Sequence, residues 1–377
     1  QEKTIPLAMA GNDIIGAAAT GSGKTLAFAS PIIDNLKPNK LVQALILTPT
    51  RELAEQVAGS ISFFSRNKKL RILPVYGGVS MENQIRKIPG TDIIVGTPGR
   101  ILDHLKRRTL ELNKIKFLVL DEVDRMFDMG FLRDVEKILS QCSKDRQTML
   151  FSATISGDIS HLAKRHTRNP TEISVKSYID HSKLTQVYYD LDDHEKFSLL
   201  VHLLSEEKRN LVMIFCGMRH KADFVARNLK KQGINAEAIH GGLTQSRRTN
   251  ILEEFHRKKI NVLVCTDVAA RGLDIKGISH IYNYDLPATN TDYIHRIGRT
   301  ARAGKDGKII NLLSNKDYEN FNNILRDRNL KIIQEEKPEF KKVFVELHRS
   351  SERRDSRQGF GGRQRNFSGA SHHRAGG

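Results

Sequence analysis

A chain of 377 residues exceeds one ordinary core and suits two domains, and a 39% hydrophobic fraction is enough to fill both. The net charge of +18 points to polyanionic partners, nucleic acid foremost, without separating RNA from DNA. No apolar run approaches the roughly 18 residues of a membrane span and no export signal opens the chain. Cys142, Cys216 and Cys265 are odd in number, widely spaced and set in apolar runs, against a disulfide framework or zinc site. A soluble, cytoplasmic protein with reduced core thiols is expected.

Short Val, Ile and Leu runs alternate with helical patterns, as for strands buried on both faces of a parallel sheet. The first half offers Asp13–Ile15, Ala44–Leu47, Asp92–Val95, Phe117–Leu120, Met149–Phe151 and Glu172–Val175. The second offers Val187–Tyr189, Leu211–Phe215, Ala236–Ile239, Val262–Cys265, His280–Asn283 and Ile309–Leu312. The expected fold is α/β, with two tandem domains over 1–176 and 184–348, joined by a polar linker at 177–183. From 349 to 377, arginines among Gly, Ser, Gln and Asn, opposed only by Glu352 and Asp355, predict a disordered basic tail.

Ligands of open parallel sheets bind beyond the carboxyl ends of the strands. Those positions carry Thr48-Pro49-Thr50-Arg51, Gly96-Thr97-Pro98-Gly99-Arg100, Asp121-Glu122-Val123-Asp124 and Ser152-Ala153-Thr154, then His240-Gly241-Gly242 and Thr266-Asp267. Ala18-Ala19-Thr20-Gly21-Ser22-Gly23-Lys24-Thr25 has the spacing of a phosphate-cradling loop, with Ala18 where glycine usually stands. Gly21 and Gly23 let backbone N–H groups converge on phosphate at a helix N-terminus. Lys24 reaches the terminal phosphates, and the Thr25 hydroxyl ligates Mg²⁺. Asp121 supplies the metal carboxylate, and Glu122 orients and deprotonates the attacking water. His295, Arg299 and Arg302, spaced i, i+4 and i+7, are expected on one face of a helix as cations for the transferring phosphoryl group. Ordinary turns, caps and a solvated basic helix are the bland readings of these stretches.

Taken in order, these motifs, with Pro49-Thr50-Arg51-Glu52-Leu53-Ala54, Gly77-Gly78, Gln245-Ser246-Arg247-Arg248, Thr266 to Asp274 and His295 to Arg302, resemble the DEAD-box RNA helicases over about Gln1 to Leu347. The resemblance implies two RecA-like domains and an ATP-hydrolysing enzyme using Mg²⁺ that separates short RNA duplexes or remodels RNA–protein complexes, as a monomer. It implies that Gln1 reads adenine, that Ala19 to Thr25 hold phosphates, that Asp274 contacts the ribose, and that Arg299 and Arg302 address the γ-phosphate. It makes Ser152, Thr154, Asp124 and Arg296 the link between nucleotide state and strand separation, with Arg296 helping the domains meet at the acidic turn. It assigns Pro49, Thr50, Arg51, Gly77, Gly78, Thr97, Gly99 and Arg100, with Arg219, Gly241, Gln245, Arg248, Thr266 and Gly272, to RNA. Small residues, amides and arginines suit backbone rather than base edges.

Val123 stands where the family usually has alanine, which leaves every charged group of the acidic motif in place. The family also has an upstream aromatic that stacks on adenine, so a chain beginning at Gln1 is expected to hold ATP more weakly. A DNA helicase, a non-enzymatic RNA clamp working through the tail, and a generic nucleotide switch stay open on sequence.

Overall fold

The computed structural model describes residues 1–17, 23–174, 183–206, 211–270, 273, 275, 277–300 and 306–345. One seven-stranded sheet contains Ile14–Ala17 (β1), Ala44–Leu47 (β2), Ile72–Val75 (β3), Ile93–Gly96 (β4), Phe117–Asp121 (β5), Gln147–Ser152 (β6) and Thr171–Ser174 (β7). A second contains Leu184–Asp190 (β8), Leu211–Phe215 (β9), Ala236–Ile239 (β10), Val262–Cys265 (β11), Ile278–Asn283 (β12), Gly307–Leu313 (β13) and Ile333–Gln334 (β14). The orders are β3-β4-β2-β5-β6-β1-β7 and β10-β11-β9-β12-β13-β8-β14, so the second repeats the first strand for strand. Every pairing is parallel.

The helices of the first domain are Thr4–Met9 (α1), Lys24–Asn35 (α2), Arg51–Phe64 (α3), Met81–Lys87 (α4), Pro98–Lys106 (α5), Val123–Asp128 (α6), Leu132–Leu139 (α7) and Gly157–His166 (α8). Those of the second are Lys196–Glu206 (α9), Arg219–Lys231 (α10), Gln245–His256 (α11), Asp267–Ala270 (α12), Asn290–Ile297 (α13) and Tyr318–Leu325 (α14). Alternation along the strands divides them between the faces. Leu45 and Leu47 join a cluster with Leu102 of α5 and Ile138 of α7, whereas Ala44 and Ile46 meet Phe28 of α2 and Val57 of α3. In the second sheet, Met213 and Phe215 pack with Phe255 of α11 and Tyr293 of α13, whereas Val212 and Ile214 pack with Leu200 of α9 and Val225 of α10. Strands covered on both faces read as continuous apolar runs, hence their legibility in the sequence.

β3 and β14 are additions to the expected strands. β3 is an edge strand holding Pro74, tolerable where a missing N–H costs no ladder bond, and β14 has only two residues. A correction concerns the second-domain arginines: α13 stops at Ile297, with Gly298 as its C-cap, so Arg299 lies in the following turn and not on a helix face with His295. No described helix is long and apolar enough to cross a membrane. Of the expected linker only Lys183 is described, and the basic tail lies outside the described residues.

Candidate functional site

The carboxyl ends of β1, β5 and β6 bring together the groups expected to handle phosphate. Of the phosphate loop, Ala18, Ala19, Thr20, Gly21 and Ser22 lie outside the described residues. Gly23, with φ 83°, is the N-cap of α2, a backbone region that L side chains rarely adopt. A Cβ there would also strike the Gln1 side chain, whose Nε2 donates to the Gly23 carbonyl at 3.1 Å. Lys24 and Thr25 begin α2, and Lys24 Nζ stands 3.6 Å from Asp121 Oδ1 at the end of β5.

Asp121 and Glu122 are adjacent, both buried, and shifted in opposite directions. Burial pushes the Asp121 carboxyl up to about 6, against the attraction of Lys24, and its Oδ1 has no hydrogen-bond partner among the described residues. Burial also acts to raise Glu122, but the charges of Arg125, Lys24 and Arg299 outweigh it and hold the carboxyl well below the usual range. Arg125 pairs with Glu122 directly. Glu122 takes the left-handed conformation at φ 54°, ψ 55°, a departure costing about 1–3 kcal/mol that the surrounding pairing sustains. An ionised acceptor thus sits beside a carboxylate oxygen that has Lys24 at 3.6 Å but no hydrogen-bond partner among the described residues.

These residues suit a magnesium–nucleotide pair. One carboxylate and the Thr25 hydroxyl are too few for an all-protein cage, and no cluster of three or more His, Cys, Asp or Glu ligands occurs among the described residues. A cation that keeps waters and takes phosphate oxygens needs no more.

Asp124, on α6, accepts from the Ala153 and Thr154 amides at 3.0 Å each and from Thr154 Oγ1 at 3.3 Å. Ser152 Oγ accepts from the Asp124 amide at 3.2 Å and donates to the Thr154 carbonyl at 2.6 Å. These bonds tie the acidic turn to the end of β6.

A second group of expected residues gathers at helix N-termini, where free N–H groups and the helix dipole favour anions. Thr50 caps α3 by accepting from the Leu53 amide at 3.3 Å, after the buried Pro49. Arg51 then lies across Gly78, which has φ 85°; a Cβ there would fall 2.0 Å from the guanidinium, so Arg51 and the Gly77-Gly78 turn fit only without a side chain. Thr97 precedes α5, which opens with Pro98, Gly99 and Arg100. Arg100 Nη1 donates to the Val79 carbonyl at 3.1 Å and to Gln84 Oε1 at 2.9 Å. Gln84, absent from the expectations, also donates to the Tyr76 carbonyl at 3.0 Å and faces His104 Nε2 at 3.1 Å.

In the second domain, Arg219 opens α10 beside Gly241, and both are exposed; Thr266 is buried at the end of β11. Gln245 and Arg248, at the start of α11, both reach across to Glu52 of α3, at 3.2 Å and 3.0 Å. Gln245 Oε1 and Arg248 Nε stay buried without partners among the described residues. Glu52 stands within a quoted motif, but no sequence signal gave it a partner 193 positions away.

Arg299 donates to the Leu273 carbonyl at 2.6 Å, and its charge is felt at Glu122. His295 lines a small pocket with Arg299 and Asp267. Arg296 corrects an expectation: it is 2% exposed and engaged wholly inside its own domain. Its Nε and Nη2 pair with Asp267 at 2.6 and 2.7 Å, its Nη1 donates to Asn283 Oδ1 at 2.8 Å and the Asp285 carbonyl at 2.7 Å, and its guanidinium covers Phe215. It therefore braces α13, and its polar partners among the described residues all lie in the second domain. Gly272, Asp274 and Arg302 lie outside the described residues.

The profile of the DEAD/DEAH box helicases matches residues 1–162, and that of the helicase conserved C-terminal domain matches 195–304. The ATP-dependent RNA helicase CshA of Listeria monocytogenes is 46% identical over 320 residues, which are 84% of this chain and 62% of that protein. CshA of Bacillus licheniformis is 43% identical over 320 residues, 84% of this chain and 66% of that protein. The chain thus spans under two thirds of the length of these relatives. Among solved structures, a DEAD box protein of Methanococcus jannaschii shares 42% identity with a TM-score of 0.54, covering 88% of this chain and 91% of that one. S. cerevisiae Dbp5 bound to RNA and ADP BeF3 shares 30% identity with a TM-score of 0.80, covering 89% and 88%. With its paired RecA-like sheets and its acidic turn beside Lys24, the chain belongs to the DEAD-box helicase family.

Proposed function

We propose that the chain is an ATP-dependent RNA helicase that hydrolyses ATP to ADP and phosphate when RNA binds, and that locally separates short duplexes or remodels RNA–protein complexes without sequence preference. The observation that carries this reading is the divided site: Lys24, Asp121 and Glu122 stand on one domain and Arg299 on the other, and the two domains are joined through Glu52 with Gln245 and Arg248. The relatives are RNA helicases by name, and the chain resembles a homologue captured with RNA and ADP BeF3 more closely in shape than one of higher identity.

In this mechanism Gln1 selects adenine beside Gly23, and Ala19 to Thr25 with Lys24 hold the phosphates. Asp274 holds the ribose. Thr25 and Asp121 would hold Mg²⁺, which would supply positive charge against the phosphate oxygens. Glu122, ionised, orients a water and takes its proton as the water oxygen bonds to the γ-phosphorus and the bridging oxygen leaves with ADP. Arg299 and Arg302 neutralise the charge spreading on the transferring group, an effect worth about 10³–10⁵ in rate, and His295 flanks them.

Asp124, Ser152 and Thr154 transmit the state of that site, and Arg296 keeps α13 in place for Arg299. RNA backbone is held by Pro49, Thr50, Arg51, Gly77, Gly78, Thr97, Gly99 and Arg100, and by Arg219, Gly241, Gln245, Arg248, Thr266 and Gly272. Domain limits of 1–176 and 184–348, a monomeric state, a cytoplasmic setting and an RNA-attracting tail complete the proposal. The test is ATP turnover with RNA, with DNA and alone, beside Lys24→Ala and Glu122→Gln. Stimulation by RNA, lost in both variants while Glu122→Gln keeps ATP-dependent RNA binding, is expected; equal stimulation by DNA, or turnover by Glu122→Gln near the wild-type rate, defeats the reading.

A further inference from the structure

α3 and α11 belong to different domains and start together, through Glu52 with Gln245 and Arg248. Their far ends flank one open groove of about 490 Å³, lined by Phe63 and Phe64 of α3 and His256 of α11. Phe63 is 63% exposed and Phe64 40%, with ring centroids 5.9 Å apart at 70°. The groove therefore holds a pair of aromatic rings that the core does not use, and it exists only while the domains are together.

The surroundings are basic on both sides. Arg66 lies 4.9 Å over the Phe63 ring, and Lys68 and Lys69 follow it. After His256, which lines the groove, Arg257, Lys258 and Lys259 follow in sequence and are likewise exposed. Two of these cations are already paired, Lys68 with Asp34 at 3.8 Å and Arg257 with Glu253 at 3.3 Å. Lys69, Lys258 and Lys259 enter no ion pair among the described residues. Exposed rings interleaved with cations are the means by which proteins hold single strands: bases stack on rings, and phosphates meet lysines. Protein interfaces, in contrast, are depleted of lysine.

We propose that this groove is a stacking and phosphate-contact site for single-stranded RNA, lying beyond the rim formed by the helix N-termini. It rests on the RNA reading above and extends it. α3 runs 14 residues from Arg51 to Phe64, which places the rings about 20 Å along the helix from Arg51. A single strand of several nucleotides spans that distance. RNA long enough to leave the rim reaches the groove, and RNA confined to the rim does not. Because both domains build it, a strand lodged there also favours their association.

The experiment measures binding of the full chain, with a non-hydrolysable ATP analogue, to oligouridines of roughly six and roughly twenty nucleotides. Phe63→Ala with Phe64→Ala is expected to weaken the long RNA at least about fivefold, leaving the short RNA and its stimulation of ATP turnover unchanged. Lys258→Ala with Lys259→Ala should lower the slope of log affinity against log salt by about 1.4 for the long RNA alone. Unchanged long-RNA affinity, or equal losses at both lengths, overturns the proposal. A photoreactive side chain at position 63 should give adducts with the long RNA; adducts formed with protein and never with RNA overturn it as well. If the wild-type chain shows no RNA-stimulated turnover, the helicase reading fails separately, and the length comparison still reads the groove.

Discussion

The two domains share one strand order, yet the same position in each is finished differently. β5 and β12 are equivalent, and each ends in a buried polar residue. In the first domain that residue is Asp121, whose Oδ1 has no hydrogen-bond partner among the described residues. In the second it is Asn283, which donates to Asn311 Oδ1 at 2.8 Å and accepts from Arg296. Buried polar groups are costly unless satisfied, so a satisfied one belongs to structure, and an unsatisfied one marks a place completed by something else. On the proposed function, one fold thus serves as a catalytic half and as a braced half that carries Arg299.

The comparison can be broken at its strongest point by Arg299→Ala, for which a fall in RNA-stimulated turnover of about 10³-fold or more is expected. A loss under tenfold would mean that the second domain supplies no charge to the reaction. Next, Arg296→Met strips a buried cation from Asp267 and Asn283, and denaturant unfolding should show a loss of about 3–5 kcal/mol. A near-neutral outcome would show the brace to be dispensable.

Asp121→Asn sharpens the contrast through pH. The folded carboxyl titrates near 6, above its ordinary value of 3.8, so the fold resists its ionisation. The penalty is absent below the ordinary value and complete above about 6. The ligand-free variant should therefore be more stable than the parent at pH 7.5, and little changed at pH 4. Glu122 has the opposite sign: its depressed pKa contributes stability above its ordinary range that is lost on acidification. A pH-independent difference between Asp121→Asn and parent would refute the assigned burial cost. The smallest effect is expected at Glu52 and Arg248, where a double-mutant cycle read on RNA-stimulated turnover should give a coupling of about 1 kcal/mol.

Much of this was legible before any coordinates. The apolar runs marked the central strands because those are covered on both faces, and the Gly-Lys-Thr, Asp-Glu and Ser-Ala-Thr clusters fell at strand ends. β3 escaped because Pro74 argues against a strand unless the strand is known to be an edge. The end of α13 could have been found, since Gly298 is an ordinary helix stop. The roles of Glu52, Gln84 and Arg296 could not, because each depends on a partner brought near only by folding.

The sequence by itself determined the paired α/β plan and the chemistry present at the rims, because periodicity and motif spacing are local properties. The tertiary structure decided which charges cancel. It turned Arg296 inward to Asp267, joined Arg248 to Glu52, and left Asp121 Oδ1 with Lys24 at 3.6 Å and no hydrogen-bond partner among the described residues. Electrostatic pairing depends on distance and burial, and neither is written along a chain.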